Sequence, residues 1–531
     1  MSRPWTGGPL FSPPGIAYAA QLYATCPFAP RWGGLLRFAL HDSALPQHDL
    51  AWSLGGTPGT KLDLILPGLR QGVTAFAAAL AAGTAASPDQ IKEYQGAALF
   101  LLWEEHAARL QRLIDENLVD VPFYDTFVER HRVLFGHPAL TVPGPAHLLA
   151  LFYQVRRTWH FASTNLLGRS FYTAATRQAL WHANLGGDIC TYAASLYDRM
   201  DDVPVLITGE TGTGKELAAQ CIAWSRYIPF DPAARRFARR YTDDFHARSL
   251  CEVPVDLQPS ALFGHKRGSF TGATADVPGY FALPGRHGTL FLDEIGELPE
   301  HVQAKLLRPL QNRAYIPLGE TEPRPLLGRL VFATNRDIEA MCREGKFRSD
   351  LLERMNGVHI HMTSLRQLLA EAPEDLEHFV RAFIAAKIPG SALIDTWTAN
   401  VLTTIHETRR GYLWPRNLRE LRNFTERTML GFGPVPYEPA PPVEEPDDVP
   451  APQAVRAPPS IALPSTALPS SGLLGPRAKT GEVSAEDLTR SLVKRVHAMS
   501  GENIAETARR TRLNWRTVAK LLKRPKSPIR S

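Results

Sequence analysis

The stretch Val203-Pro-Val-Leu-Ile-Thr-Gly-Glu-Thr-Gly-Thr-Gly-Lys-Glu216 decides the fold of the central part of this chain. Its first six residues form an apolar run that is typical of a buried strand, and the glycine-rich loop after them leads into a helix predicted over Lys215–Trp224. A loop of this kind lets backbone N–H groups and the helix N-terminus hold phosphate. The stretch therefore predicts a P-loop that binds a nucleotide.

Two further predicted strands end in polar residues. Gly288–Asp293 ends in an acidic pair, Asp293 and Glu294, and Leu330–Thr334 is followed by Asn335. Alternation of such strands with helices predicts a mostly parallel sheet with helices on both faces. A P-loop with a downstream Asp-Glu pair indicates a nucleoside triphosphatase, in which Asp293 orients Mg²⁺ and Glu294 polarises the attacking water.

The residues expected to bind ATP lie in the loop and the first turn of its helix. They are Gly209, Glu210, Thr211, Gly212, Thr213, Gly214, Lys215 and Glu216. Lys215 is expected to contact the β- and γ-phosphates. The generic P-loop has a Ser or Thr ligand of magnesium directly after the lysine. This chain has Glu216 there, so Thr213 or water is expected to assist Asp293 in binding the metal.

The segment Leu262-Phe-Gly-His-Lys-Arg-Gly-Ser-Phe-Thr-Gly-Ala273 lies between the P-loop and the acidic pair. It resembles the loop with which bacterial enhancer-binding proteins, which are AAA+ ATPases, grip sigma-54. The resemblance implies that two glycines hinge a mobile tip and that Phe270 and Thr271 are offered to the partner. Ser269 replaces the commoner alanine. The implied sigma-54 contacts are Gly268, Ser269, Phe270, Thr271, Gly272 and Ala273.

Two other segments resemble motifs of the same family. Phe347-Arg-Ser-Asp-Leu-Leu-Glu-Arg354 resembles its F-R-x-D-L-x-x-R segment, which implies that Arg348 and Arg354 are arginine fingers for the nucleotide of a neighbouring subunit. Leu413-Trp-Pro-Arg-Asn-Leu-Arg-Glu-Leu421 resembles W-P-G-N-V-R-E-L, which implies that Arg419 reaches from a lid to the phosphates. Arg416 stands where glycine is usual, so a local difference in the turn is expected.

The family also places a sensor residue beside the γ-phosphate, and Asn335 resembles it. The alternatives are that Asn335 caps the next helix, that Arg348 and Arg354 are ordinary surface ion-pair partners, and that Arg419 is an exposed arginine of the lid. One position departs from the pattern. Ser249 stands where the family usually has an asparagine that holds the catalytic glutamate away from water, so basal hydrolysis is expected to be less tightly gated.

The end of the chain is basic. Residues 483–531 carry 12 Lys or Arg against 4 Asp or Glu, within a chain of net charge +6. Such a segment indicates a polyanionic partner, most simply DNA, or a solvated basic tail. Residues 502–523 resemble the Fis-like helix-turn-helix of enhancer-binding proteins, or form a basic helical hairpin without sequence preference. The implied DNA contacts are Arg509, Arg510, Asn514, Arg516, Thr517, Lys520, Lys523 and Arg524.

Composition limits the remaining possibilities. No apolar run approaches the ~20 residues of a membrane span, and the prolines near the start differ from a signal peptide. The 5 cysteines are scattered without C-x-x-C spacing, which predicts neither a zinc site nor a disulfide framework and fits a cytoplasmic protein. Residues 434–482 are dense in Pro, Ala and Ser, which predicts an extended linker.

The sequence thus predicts a multidomain protein. Its parts are a largely helical N-terminal regulatory region of unknown fold and input (1–165), an α/β AAA+ P-loop core (166–363), a helical lid (364–433), the linker, and a helix-turn-helix (483–531). The resemblance implies a sigma-54-dependent activator that binds upstream DNA. It also implies a ring, expected to be a hexamer, that remodels the sigma-54 RNA polymerase complex with ATP and Mg²⁺. A remodeller of another client and a DNA-binding repressor with a vestigial ATPase are the alternatives.

Overall fold

The computed structural model describes residues 59–432, with side chains from residue 70 onward except those of Asp89 and Glu93. The predicted linker and helix-turn-helix, with its eight DNA-contact residues, lie outside the described residues. So do residues 1–58 of the N-terminal region.

Four helices lie before residue 166 in the described part of the chain: α1 (Gly59–Ala81), α2 (Pro88–Asp115), α3 (Tyr124–Phe135) and α4 (Pro145–Asn165). Apolar residues recur at three- and four-residue spacing along α2 and give it an apolar stripe. The stripe lies in the core, where Leu102 and Leu110 are fully buried. Helix α2 begins at a capping box. The Ser87 hydroxyl accepts the N–H of Gln90, whose side chain accepts the N–H of Ser87.

The α/β part that follows contains helices α5 to α10 and strands β1 to β11. The helices are α5 (Phe171–Leu185), α6 (Lys215–Trp224), α7 (Gln258–Phe263), α8 (Glu300–Asn312), α9 (Ile338–Arg343) and α10 (Ser349–Met355). The strands are β1 (Val205–Gly209), β2 (Phe230–Asp231), β3 (Arg236–Phe237), β4 (Phe245–Ser249), β5 (Gly264–His265), β6 (Val277–Pro278), β7 (Thr289–Asp293), β8 (Ala314–Tyr315), β9 (Arg324–Pro325), β10 (Arg329–Thr334) and β11 (Val358–Met362). Short helical turns span Ile189–Thr191, Tyr192–Leu196, Met200–Asp202, Leu250–Glu252, Val255–Leu257, Tyr280–Ala282 and Ile295–Glu297.

Five strands form a parallel sheet in the order β11-β1-β10-β7-β4. This is the predicted parallel α/β arrangement, and it places the carboxyl ends of β1, β7 and β10 along one edge, where ligands of such sheets bind. The three remaining strand pairs are antiparallel ribbons: β2–β3, β5–β6 and β8–β9.

The two faces of the sheet belong to different cores because successive side chains of a strand point to opposite faces. Val205 and Ile207 of β1 pack in one cluster with α6 and with helices α1 to α4, whereas Leu206 packs in a second cluster with α7 and α8. The helices before residue 166 therefore share a continuous core with one face of the sheet.

A third cluster forms the core of the helical segment predicted to be a lid, which contains α11 (Leu365–Glu371), α12 (Asp375–Lys387), α13 (Ile394–Thr408) and α14 (Asn417–Met429). Its core includes Phe379, Val401 and Leu421. Across the described part of the chain, no helix combines the length and the apolar character that crossing a bilayer requires.

Candidate functional site

The P-loop adopts the conformation predicted for it. Strand β1 leads into residues 209–214, and α6 begins at Lys215 and ends at Trp224 as expected. Gly212 has φ +81°, and a Cβ there would lie 2.2 Å from the carbonyl oxygen of Arg416. Only glycine fits at this position, because the lid approaches the loop backbone so closely. The first N–H groups of a helix have no acceptor within the helix, so the start of α6 is suited to bind phosphate.

Lys215 lies inside this loop. Its side chain is buried, and Nζ donates to the carbonyl oxygens of Gly209 at 3.0 Å and Glu210 at 3.3 Å. Burial lowers the pKa of Lys215, and the nearby carboxylates of Glu294 and Asp293 oppose that shift. An ammonium group that has left water for neutral carbonyl acceptors gains strongly from an anion, so the lysine is prepared for phosphate.

The acidic pair lies at the end of β7. Asp293 Oδ1 accepts the N–H of Glu294 at 2.9 Å, and Glu294 itself has the left-handed φ of +56°. A non-glycine residue in that region is strained and common at functional sites. Burial raises the pKa of Glu294, which makes its carboxylate a better proton acceptor than an ordinary surface glutamate.

Asn335 connects the acidic pair to the P-loop. Its backbone N–H donates to Glu294 Oε2 at 3.3 Å, and its side-chain Nδ2 donates to Thr211 Oγ1 at 3.0 Å. The alternative role as a helix cap is wrong, because Asp337 caps α9 by accepting the N–H of Ala340. Asn335 thus links Glu294 at the end of β7 to Thr211 of the P-loop.

The oxygen ligands at this edge fit a magnesium ion bound together with phosphates. Mg²⁺ in nucleotide sites takes one or two carboxylates, and phosphate oxygens and water complete its shell. Asp293 supplies a carboxylate, and the Thr213 hydroxyl lies in the loop, donating to the Glu210 carbonyl at 2.8 Å. Glu216 is exposed in the first turn of α6. The donor set agrees with the expected role of Asp293, and Thr213 has a free lone pair for a metal.

The lid forms hydrogen bonds with the P-loop through two residues that the sequence did not single out. Arg366 of α11 donates to both carboxylate oxygens of Glu210, at 2.6 and 2.8 Å, and these hydrogen bonds lower the pKa of Glu210. Asn417 is fully buried and donates to Glu210 Oε2 at 3.1 Å and to the Thr211 carbonyl at 3.0 Å. Asn417 belongs to the motif around Trp414, so the available signal was a polar residue in a segment already singled out.

The turn at the start of α14 explains why Arg416 is tolerated in place of glycine. The left-handed conformations fall on Trp414, with φ +51°, and Asn417, with φ +54°, whereas Arg416 has φ −104°. Any residue adopts that conformation. The backbone N–H of Arg419 donates to the Gly212 carbonyl at 3.3 Å, which places the start of its side chain over the P-loop.

The two candidate arginine fingers lie elsewhere, at the ends of α10. Arg348 forms an ion pair with Asp350, with Nη2 and Oδ2 2.8 Å apart, and both side chains are exposed. Arg354 lies exposed in the last turn. Within residues 59–432, neither side chain forms a hydrogen bond or ion pair with residues 209–216, so the structure does not bring them to their own subunit's P-loop.

The predicted contact segment forms the β5–β6 loop, residues 266–276. The loop contacts the β8–β9 hairpin, residues 314–325. Lys266 N–H donates to the Leu318 carbonyl at 2.9 Å, and the Ser269 hydroxyl donates to the same oxygen at 2.8 Å. Gly268 and Gly272 have positive φ, as hinges at the base of a tip would. Phe270 is 37% exposed and its ring lies 4.9 Å from that of His265.

The central segment of the chain matches a known family. Residues 190–361 match the Sigma-54 interaction domain. The resemblance predicted from the sequence is therefore confirmed for this segment, which contains the P-loop, the acidic pair, the β5–β6 loop and Arg348.

Curated relatives give the same result. The chain is 37% identical over 249 residues to the regulatory protein AtoC of Escherichia coli. These residues are 47% of this chain and 49% of AtoC. It is 37% identical over 226 residues to the DNA-binding transcriptional regulator NtrC of a Bradyrhizobium strain, 43% of each chain. The formate hydrogenlyase transcriptional activator FhlA of E. coli is 39% identical over 232 residues, 43% of this chain and 30% of FhlA. The chain thus spans about half, or less, of the length of these relatives.

Among solved structures, NtrX from Brucella abortus in complex with ADP has 19% identity and a TM-score of 0.38, with 80% of this chain and 86% of NtrX covered.

Proposed function

We propose that this protein is a sigma-54-dependent transcriptional activator that hydrolyses ATP. The observation that carries the proposal is the β5–β6 loop. A segment of sigma-54-contact type is exposed between a P-loop and an acidic pair, within the residues that match the Sigma-54 interaction domain. A vestigial ATPase is not favoured, because Lys215, Glu294 and Asn335 lie together at the same sheet edge.

The residues at the sheet edge divide the work of hydrolysis. The loop N–H groups and Lys215 bind the phosphates, and Asp293, assisted by Thr213, holds Mg²⁺, which neutralises charge on the phosphate oxygens when bound. Glu294 orients a water molecule and accepts its proton, and its raised pKa suits that task. Asn335 and Arg419 read the state of the γ-phosphate from the sheet and from the lid.

The site needs a second subunit to supply more positive charge. Arg348 and Arg354 are exposed at the ends of α10 and do not contact their own P-loop in the described chain. Placed against the nucleotide of a neighbouring copy, they act as arginine fingers, which contribute about 10³–10⁵ in rate in GTPases. This arrangement implies a closed ring of identical interfaces, which we propose is a hexamer.

The remaining parts complete an activator. Residues 268–273 engage the sigma-54 RNA polymerase holoenzyme, and changes of nucleotide state move them together with the β8–β9 hairpin that they contact. Residues 483–531 bind an upstream DNA element, with residues 434–482 as a linker. The helices before residue 166 regulate the ring. The protein acts in the cytoplasm.

The test is promoter opening in a purified system. The protein, sigma-54 holoenzyme and a supercoiled sigma-54 promoter with its upstream element are mixed with ATP, and melting is followed by permanganate reactivity. We expect melting with ATP and none with a non-hydrolysable analogue, and none at a promoter served by the primary sigma factor. ATP hydrolysis without any melting would instead favour a remodeller of another client.

A further inference from the structure

Residues 224–226, at the C-terminal end of the P-loop helix α6, are held by helix α4 from the N-terminal region. Arg157 donates from Nη1 to the Trp224 carbonyl at 2.6 Å and from Nη2 to the Arg226 carbonyl at 2.7 Å. Gln154, one turn earlier, donates to the Ser225 carbonyl at 3.0 Å. Three successive carbonyls at the negative end of the α6 dipole are thus bound by two side chains of one helix.

One of these three residues, Arg226, also holds the start of the strand that carries the acidic pair. Arg226 is buried, and its Nη1 donates to the Gly288 carbonyl at 2.6 Å, directly before β7. Asp201 forms an ion pair with the other end of that guanidinium. Residues 224–226 are therefore a junction from which α6 runs to Lys215 and β7 runs to Asp293. A shift of this junction displaces both catalytic elements together.

The guanidinium of Arg157 is buried at a cost in free energy. Its side chain is fully buried, it lies over the ring of Tyr153 at 4.4 Å, and no carboxylate of the described residues forms an ion pair with it. Desolvation lowers the pKa of Arg157 to about 10. Burying a cation costs free energy that an apolar side chain of similar volume avoids. What the guanidinium supplies instead is a rigid fork with fixed hydrogen-bond directions.

Helix α4 is itself anchored well enough to act as a reference frame. Tyr153 stacks on Phe237 of the β2–β3 ribbon at 4.3 Å, and Gln154 also donates to the Tyr192 hydroxyl at 2.7 Å. His147 forms hydrogen bonds with the Tyr227 hydroxyl at 2.7 Å and the Ala193 carbonyl at 2.9 Å. These contacts lie on several segments of the α/β part, so α4 does not slide along α6 independently of its surroundings.

We propose that Arg157 is a positioning residue of the ATPase site, which fixes Lys215 and Asp293 relative to one another by holding the junction 224–226. The inference rests on the proposed ATPase activity. It also makes the N-terminal helices part of the ATPase unit, since any signal that displaces α4 moves the junction and thereby alters hydrolysis.

The experiment compares Arg157→Met with Arg156→Met in the full chain. Arg156 is the adjacent arginine, but it faces α2, where its Nε donates to Gln111 Oε1 at 2.8 Å. Steady-state kcat and KM for ATP are measured well below the melting temperature, at protein concentrations where sedimentation shows that all variants assemble to the same extent. The value of kcat is calculated per active site, and the active sites are titrated with labelled nucleotide. We expect Arg157→Met to lower kcat by about 10- to 100-fold, Arg157→Lys to recover part of that loss, and Arg156→Met to stay within twofold of the wild type.

A purely structural role gives a different pattern. Arg157→Met would then lower the melting temperature and the number of titrated sites, while kcat per site and KM stayed at wild-type values, and this result would overturn the inference. If Arg157→Met does not fold, Arg157→Lys and Gln154→Leu take its place, and unchanged kcat in both has the same meaning. If the wild type hydrolyses ATP and the variants have the same kcat, the role of Arg157 is refuted but the proposed function stands. If the wild type neither hydrolyses ATP nor changes its melting temperature on adding Mg·ATP, both the role of Arg157 and the proposed function are refuted.

Discussion

Replacing Ser269 by alanine should release the β5–β6 loop from the β8–β9 hairpin. The Ser269 hydroxyl lies within hydrogen-bond distance of two carbonyl oxygens, those of Leu318 and Lys266, but it has one proton and so donates one hydrogen bond at a time. The Leu318 oxygen keeps the N–H of Lys266 as a donor after the substitution. No acceptor is left bare, so the loss is the net value of one hydrogen bond, about 0.5–1.5 kcal/mol.

This free energy converts directly into a change of population. A loss of that size raises the population of the released loop by about 2- to 13-fold. Gly319 offers the same perturbation from the other side. A Cβ there would lie 2.3 Å from Ser269 Oγ, and the residue has φ +80°, so Gly319→Ala should also separate the two segments.

The assay is hydrogen–deuterium exchange of peptides that cover residues 266–276, measured by mass spectrometry without nucleotide. Amides that exchange through loop release should exchange about 2- to 13-fold faster in Ser269→Ala. Ser195→Ala is the control, because its hydroxyl also donates to a backbone carbonyl, that of Thr191 at 3.0 Å, far along the chain. Unchanged exchange of the loop in Ser269→Ala would refute the reasoning that this hydroxyl holds it down.

Four other predictions concern the ATP site. Ser249 and Glu294 share no hydrogen bond in the described part of the chain. Ser249→Asn should therefore lower basal ATP turnover, because the asparagine would restrain the Glu294 carboxylate. Unchanged turnover would show that residue 249 does not control Glu294. Because burial raises the pKa of Glu294, hydrolysis should fall on acidification at a higher pH than an ordinary glutamate would give, and a pH–rate profile that falls only near the ordinary glutamate pKa contradicts this. Because the pKa of Glu294 is raised in the folded protein, its ionised carboxylate destabilises the fold at pH values above that pKa. Glu294→Gln should therefore raise the melting temperature at pH 7 while it abolishes turnover. Arg366→Met removes the bidentate partner of Glu210 and should weaken ATP binding, measured by fluorescence titration, by about 1.4- to 5-fold because the pair is partly exposed. Arg381→Met, which breaks another exposed lid ion pair, should leave binding unchanged.

The parts that could be predicted from the sequence are those with local signals. The apolar run before the glycines, the helix from Lys215 to Trp224 and the strand ends at Asp293 and Asn335 each follow from spacing along a few residues, and the structure contains all of them. The parallel sheet followed from their alternation. The position of Asn335 between Thr211 and Glu294 was consistent with the resemblance but needed the structure to exclude a capping role.

Long-range packing could not be predicted in the same way. The hydrogen bonds of Arg157 join positions about seventy residues apart, and those of Arg366 and Asn417 to Glu210 span more than 150. A buried arginine and a surface arginine look alike in a sequence. The shared core of the N-terminal helices and the sheet depends on the same kind of contact, and the apolar stripe of α2 gave no indication of what it would pack against.

One measurement tests the central claim most directly, and it compares two exposed threonines of the β5–β6 loop, Thr271 at its tip and Thr274 beyond it. Thr271→Val and Thr274→Val each remove a hydroxyl and keep the side-chain shape. The quantity to measure is the amount of sigma-54 promoter opened per ATP hydrolysed. We predict that this ratio collapses in Thr271→Val and stays at the wild-type value in Thr274→Val. A Thr271→Val protein that opens the promoter with the wild-type yield per ATP would contradict the claim that this loop transmits the work of hydrolysis to sigma-54.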